Sequence, residues 1–340
     1  MRIGLLAPPW TPVPPRLYGG IELVVDRLAT GFQAAGHEVV LFTTGDSTCA
    51  VEKRHILPVA QGWRIGFAVP EIIHVTAGYD ALSDVDIIHD HTVFGPFYCE
   101  RFPDRPVVTT VHGALDGELA QVYERIHERV PVIAISEAQR RPAPQVQVAR
   151  VIHHGVDAVE FPYGSGDGGY FMFLGRMSPD KGAHRAMEAA YKAGVPLIMA
   201  AKMRESLEYD YFEHAVQPYL NDDLVYLGEV PHEKKLELLA GARGLLFPIR
   251  WNEPFGMVMI EAMACGTPVL AFPVGAAPVV VAHGETGLLC NDVAELVEAN
   301  QRIDSIDRAA CRASVEGYFS TQRMVAEHIA LFEDILAARA

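Results

Sequence analysis

Glu253 and Glu261 stand in an otherwise apolar stretch, "WNEPFGMVMIEAMACG", that contains no basic residue. A buried carboxylate without a partner is costly, so each must face water or bind something. A helix beginning near Gly256 puts Glu261 in its second turn and leaves Glu253 on the loop before it. Both can then look into one cleft above a helix N-terminus. Carboxylates do not bind phosphate, but they accept hydrogen bonds from sugar hydroxyls, two of which can bridge one carboxylate. Two solvated charges on an amphipathic helix fit poorly, because Met257, Val258, Met259, Ile260, Ala262 and Met263 leave hardly any polar face.

A second pair carries the opposite charge. In "FLGRMSPDKG" a strand ends at Gly175, and Arg176 and Lys181 follow across a turn containing Pro179. Two cations on one strand-end loop suit a diphosphate, Arg through its planar fork and Lys as a point charge. The alternative is two solvated surface charges. Near the N-terminus, Gly19 and Gly20 lie between a first strand and a first helix, where glycine lets a bound group approach the backbone amides and the helix dipole. This is not a G-x-G-x-x-G fingerprint, so a dinucleotide site is disfavoured.

The elements that must position these groups alternate along the chain. "RIGLLA" is an apolar strand, and a proline-rich loop leads into helical spacing at Ile21, Val24, Val25, Leu28, Phe32 and Ala35; "HEVVLFTT" is the next strand. Further strands are expected at 85–89, 106–112 and 131–136, with a helical pattern over 117–130. "DAVEFPYGSGDGGY" at 157–170 reads as a hinge. After it the grammar restarts with strands "FMFLG", "PLIMA", "LVYLG", "ARGLLFP" and "TPVLAF". The expected fold is α/β, with two doubly wound Rossmann-like domains, 1–157 and 158–317, facing across a cleft. An amphipathic C-terminal helix at about 318–340 has the option of packing back on the first domain.

The chain has 340 residues, half of them hydrophobic, and a net charge of −15. That charge argues against nucleic acid, whose phosphates need a basic footprint, and less firmly against a polybasic membrane contact. The uncharged run 262–282 is too broken by glycine and proline to span a membrane. Five scattered cysteines without a C-x-x-C pair point to reduced thiols in a cytoplasm rather than disulfides or zinc, and the N-terminus has no signal-peptide pattern.

Taken together, Gly-Arg-x4-Lys-Gly followed by E-P-F-G-x4-E-A-M-A-x-G-x-P-V resembles the retaining glycosyltransferases of family 4, which have the two-domain GT-B fold. The resemblance runs from "YGG" to "HGETGLL". It implies transfer of a hexose from a nucleoside-diphosphate sugar, UDP- or GDP-linked, to a hydroxyl acceptor, with the donor held mainly by the C-terminal domain. By motif position, Arg176 and Lys181 would hold the diphosphate and Glu253 the sugar hydroxyls, with the Phe255 and Gly256 amides nearby. Glu261 would take the ribose, and Gly19 and Gly20 would form the N-terminal glycine loop. His112, in "TTVHG", matches a position beside the transferring sugar. The resemblance implies neither a metal nor a cofactor beyond the donor substrate. Oligomeric state is left open, and the acidic charge favours a soluble acceptor over a lipid.

Two departures stand out. The family's Asn-Gly-Val/Ile-Asp appears as "HHGVD", with His154 for Asn, and its G-G-x-P-E loop appears as "GAAPVV", with Ala276 and Val279 for Gly and Glu. Asp84-Val85-Asp86 looks like a metal-binding D-x-D but precedes a strand and is read as structural. His89-Asp90-His91 is read as a strand-end loop, with Asp90 and His91 as candidate acceptor contacts. Closure about 157–170 is expected to exclude water from the donor. Two further readings stay open: a nucleotide-sugar epimerase of the same fold, and a non-catalytic nucleotide-sugar-binding module.

Overall fold

Apolar runs such as "RIGLL" and "EVVLF" become buried strands because parallel sheets are covered on both faces. In the computed structural model, which describes residues 1–339, two parallel sheets form. The first holds β1 (Arg2–Leu6), β2 (Glu38–Phe42), β3 (Glu52–Arg54), β4 (Ile87–Asp90), β5 (Val107–Thr110), β6 (Val132–Ala134) and β7 (Val148–Val151). Their order is β3-β2-β1-β4-β5-β6-β7. The second holds β8 (Phe171–Arg176), β9 (Leu197–Lys202), β10 (Leu224–Tyr226), β11 (Gly244–Phe247), β12 (Val269–Ala271) and β13 (Gly287–Leu289), in the order β10-β9-β8-β11-β12-β13. Each sheet has one reversal of strand order, between β1 and β4 and between β8 and β11. In doubly wound folds, ligands bind outside the carboxyl ends of the strands at such a point. The β8–β11 ladder pairs only Gly244 with Phe171 and Leu245 with Met172, so the two strands part toward their carboxyl ends.

The chain divides into one compact unit of Met1–His154 plus the segment from Thr321, and a second of Gly155–Ser320. The C-terminal helix Thr321–Ala337 lies in the first unit and packs on the helix Gly20–Ala34. Phe332 meets Phe32 with ring centroids 5.5 Å apart. Gly31 leaves the room that Val325 fills, since a Cβ there would stand 2.4 Å from its Cγ2.

The glycine-rich segment 157–170 is not a free hinge. Gly164, Gly166 and Gly168 donate backbone hydrogen bonds to Cys265, Ala240 and Gly241, all within the second unit. A Cβ on Gly164 would lie 2.0 Å from the Ala240 carbonyl oxygen. Arg308 ties the segment down further, donating to the carbonyls of Gly164, Ala240 and Ala242. These glycines permit close backbone packing, which composition alone does not distinguish from flexibility. The chain passes between the units at His154/Gly155 and Ser320/Thr321 instead. The helix Ala68–Ala81 and the strands β3, β7 and β13 complete the layers without having been singled out from the sequence.

Candidate functional site

At the strand reversal of the second unit, β8 ends in Arg176 and β11 runs into the loop that carries Glu253. Gly182, with φ +83°, lets the β8 loop enter the helix Ala183–Ala193 against the Pro248 carbonyl, which a Cβ would approach to 2.5 Å. That close approach brings Lys181 to Glu253. Its ammonium forms an ion pair with the Glu253 carboxylate and lies 4.7 Å from the Trp251 ring centroid. The Trp251 indole N–H donates to the same carboxylate oxygen at 2.8 Å. Two donors and an aromatic face thus orient one half-buried carboxylate.

The loop bearing Glu253 is braced from behind by "GAAPVV". The Ala276 amide donates to the Glu253 carbonyl at 2.9 Å. Gly275 has φ +60°, and a Cβ there would stand 2.4 Å from the Glu253 amide nitrogen. Ala276, a departure from the family pattern, is fully buried in this contact, whereas Val279 is exposed.

Glu261 lies in the second turn of the helix Met257–Ala264, which starts after Gly256 in the left-handed region (φ +84°). It is buried and accepts a hydrogen bond from the Lys235 ammonium at 2.6 Å, from the helix His232–Gly241. The two glutamates that looked unpartnered within their stretch are therefore both paired, by lysines distant in sequence. Lys235 was missed because nothing in "HEKKLELL" says which lysine turns inward. Phe255 is buried, with its ring centroid 6.1 Å from that of Phe319.

Arg176 remains about a third exposed, with Nε 3.6 Å from Glu208 and Nη2 3.8 Å from Asp180. On the adjacent strand its register partner is Lys202. Burial first, then the charges of Arg204 and Arg176, lower the Lys202 pKa. This cationic neighbour of Arg176 was also not singled out from the sequence.

In the first unit, the helix Gly20–Ala34 begins directly after Gly19. Open space lies where a Gly20 Cβ would sit, whereas one on Gly19 would meet Pro15 at 2.7 Å and the Glu22 carboxylate at 3.0 Å. Along the sheet's carboxyl edge the histidines gather. His91 Nδ1 and His112 Nε2 are 2.9 Å apart, and the His112 ring stacks on His154 with centroids 5.7 Å apart. His89 lies 4.0 Å from His91 and 5.1 Å from His328, centroid to centroid. Residues two apart on a strand share a face, so His89 and His91 point the same way. Burial holds all five neutral, taking His112 down to about 3 and His328 to about 4; neighbouring imidazoles add to the effect on His89, His91, His112 and His154, and Arg323 and Arg150 add to it on His328. Among the described residues, no three His, Cys, Asp or Glu side chains are arranged to hold a metal ion.

Asp90 turns to the opposite face and is fully buried. It accepts from the Tyr79 hydroxyl at 2.8 Å and from the Thr92 amide and hydroxyl at 2.8 and 2.7 Å. Its expected role as an acceptor contact is corrected accordingly: both oxygens are occupied inside the fold. Burial raises its pKa to about 7. Asp84 pairs with Arg54 at 2.8 Å and Arg2 at 3.1 Å, and Asp86 accepts from the Arg2 amide at 2.7 Å. The D-x-D lookalike thus braces the amino ends of β1 and β4, away from the carboxyl-end crevice.

The family model for glycosyl transferases group 1 matches residues 160–307, and that for glycosyltransferase family 4 matches residues 18–160. The phosphatidyl-myo-inositol mannosyltransferase of Mycolicibacterium smegmatis is 30% identical, over 85% of this chain and 80% of its own. The glycogen synthase of Mycobacterium tuberculosis is 26% identical, over 88% of this chain and 86% of its own. Among solved structures, AviGT4, a glycosyltransferase involved in avilamycin A biosynthesis, aligns with a TM-score of 0.78 at 25% identity, covering 99% of this chain and 98% of that one. The Anabaena protein HepE, in complex with UDP and glucose, shares the fold with a TM-score of 0.79 at 20% identity, covering 98% and 100%.

Proposed function

The chain belongs to the group 1, family 4 glycosyltransferases, and from that premise we propose that it moves a hexose from a UDP- or GDP-sugar to a hydroxyl acceptor. The transfer retains anomeric configuration and uses no metal ion; the donor is a substrate, and no cofactor enters. The observation that carries the reading is the Lys181–Glu253–Trp251 cluster at the strand reversal of the second unit. A cation and a carboxylate held together there offer one group to a phosphate and the other to sugar hydroxyls.

Breaking the anomeric C–O bond builds negative charge on the leaving phosphate. Lys181 and Arg176 meet that charge as it grows, and such preorganised electrostatics favour the transition state over the ground state. Glu253 accepts from hexose hydroxyls, and its orientation by Trp251 fixes the sugar. Glu261, held by Lys235, takes the ribose hydroxyls, with the Phe255 and Gly256 amides at the start of the same helix. The leaving phosphate assists deprotonation of the acceptor. Gly19, Gly20 and His112 take the roles that family resemblance gives them, and His154, at the family's Asn position, is assigned to donor binding.

Among the described residues, no helix is long and apolar enough to cross a membrane. All five cysteines are free, which suits a reducing cytoplasm. A thermal-shift screen against UDP, GDP and ADP tests the donor site. A ligand at a hundred times its Kd adds about 2.7 kcal/mol, or about 5 to 10 °C for a domain of this size. No shift with any nucleoside diphosphate would overturn the reading.

A further inference from the structure

The first unit carries an apolar collar that its fold does not use. Trp63 is 81% exposed, and Ile65, Phe67, Val69 and Ile73 are each close to half exposed or more, as is Val93. Scattered exposed hydrophobes need no explanation, but a run of large ones within about ten residues does.

Three contacts locate this collar. The Gln61 amide donates to the Pro9 carbonyl at 2.8 Å, tying the Trp63 strap to the loop after β1. His74 Nε2 lies 2.9 Å from the Ala7 carbonyl oxygen, placing the middle of the helix Ala68–Ala81 beside the loop after β1. The Glu71 carboxylate accepts from the Val93 and Phe94 amides at 3.1 and 3.2 Å, anchoring the loop after β4. The collar therefore borders the carboxyl ends of β1 and β4, where the strand order of this unit reverses.

The charge around it selects among occupants. Arg64 is the only Lys or Arg between residues 55 and 93, and the chain as a whole carries −15. An anionic bilayer surface would call for a basic cluster. We propose that the collar receives the apolar portion of the acceptor, an alkyl, aryl or isoprenoid group whose attached hydroxyl is glycosylated. This rests on the glycosyltransferase reading for the chemistry, but not for the binding surface. It replaces the charge-based expectation of a soluble acceptor with an amphiphilic one.

Trp63 supplies its own probe. The full chain is titrated with n-octyl β-glucoside below its micelle concentration, with methyl β-glucoside and phosphatidylcholine vesicles as separate arms. Saturable blue-shifted emission is expected with the octyl glycoside, at least about ten-fold tighter than any response to methyl glycoside, given the transfer free energy of even two buried methylenes. The response should be lost in the double variant Phe67→Ser, Val69→Ser, which keeps Trp63 as the reporter and whose exposed positions leave the core intact. Equal responses to the two glycosides, no response, or octyl binding that survives the double variant would each overturn the proposal. Vesicle co-sedimentation would overturn it in favour of a membrane surface. Failure of nucleoside diphosphate to bind in a parallel thermal scan would sink the donor reading while leaving this binding result standing.

Discussion

Lys235 donates to Glu261 at 2.6 Å across two neighbouring helices, and both side chains are largely buried. The pair converts a carboxylate inside an apolar helix into a fixed acceptor. Removing one member of a buried pair typically costs about 3–5 kcal/mol, because the other charge stays buried. Lys235→Met should therefore destabilise the second unit by about 3 kcal/mol in urea titrations, and adding Glu261→Gln should recover most of it. A single-variant cost below about 1 kcal/mol would mean that the pair does not hold Glu261.

Lys181→Ala tests the electrostatic role beside Glu253. Loss of one donor aimed at developing charge costs on the order of 100- to 1000-fold in turnover. The fall should appear in kcat more than in donor KM. A change confined to KM would assign Lys181 to ground-state binding instead.

Gly164→Ala distinguishes a strapped segment from a hinge. The added methyl would meet the Ala240 carbonyl, and overpacking of this kind costs about 1–3 kcal/mol. A lowered melting temperature is expected. An unchanged or raised one would restore 157–170 as a flexible linker.

Much of this was legible in the sequence, and the losses have physical causes. The strand and helix alternation follows from periodicity, and Glu253, Glu261, Arg176 and Lys181 stand out by type and spacing. Their partners do not. Lys235 reaches Glu261, and Lys181 reaches Glu253, through helix packing and a glycine-permitted approach between segments far apart in the chain. Asp90 misled because a strand-end carboxylate reads as exposed until Tyr79 and Thr92 are seen to enclose it. Glycines at 164, 166 and 168 misled because close packing and flexibility draw on the same residue.

The buried histidines make the first unit acid-labile. With His74 and His328 lowered to about 4 and His112 to about 3, the unfolded chain binds protons that the folded chain refuses between those values and about 6.5. Stability thus falls as pH drops below 6.5, by up to about 1.4 kcal/mol per pH unit for each such group. Asp90 has the opposite sign: its pKa, raised to about 7, makes stability fall as pH rises from its unfolded value through 7. The histidines outnumber it, so melting temperature should drop from pH 7 to pH 5, and His154→Asn should flatten the drop. A flat profile for the parent protein would contradict the neutral cluster.

The most direct measurement is transfer itself. Labelled UDP- and GDP-hexoses are incubated with and without a panel of hydroxyl acceptors, and released diphosphate and product anomers are followed. The account predicts acceptor-dependent release of nucleoside diphosphate and a product that keeps the donor's anomeric configuration. Isomerised donor without acceptor, an inverted product, or tight donor binding with no release under any condition would contradict it.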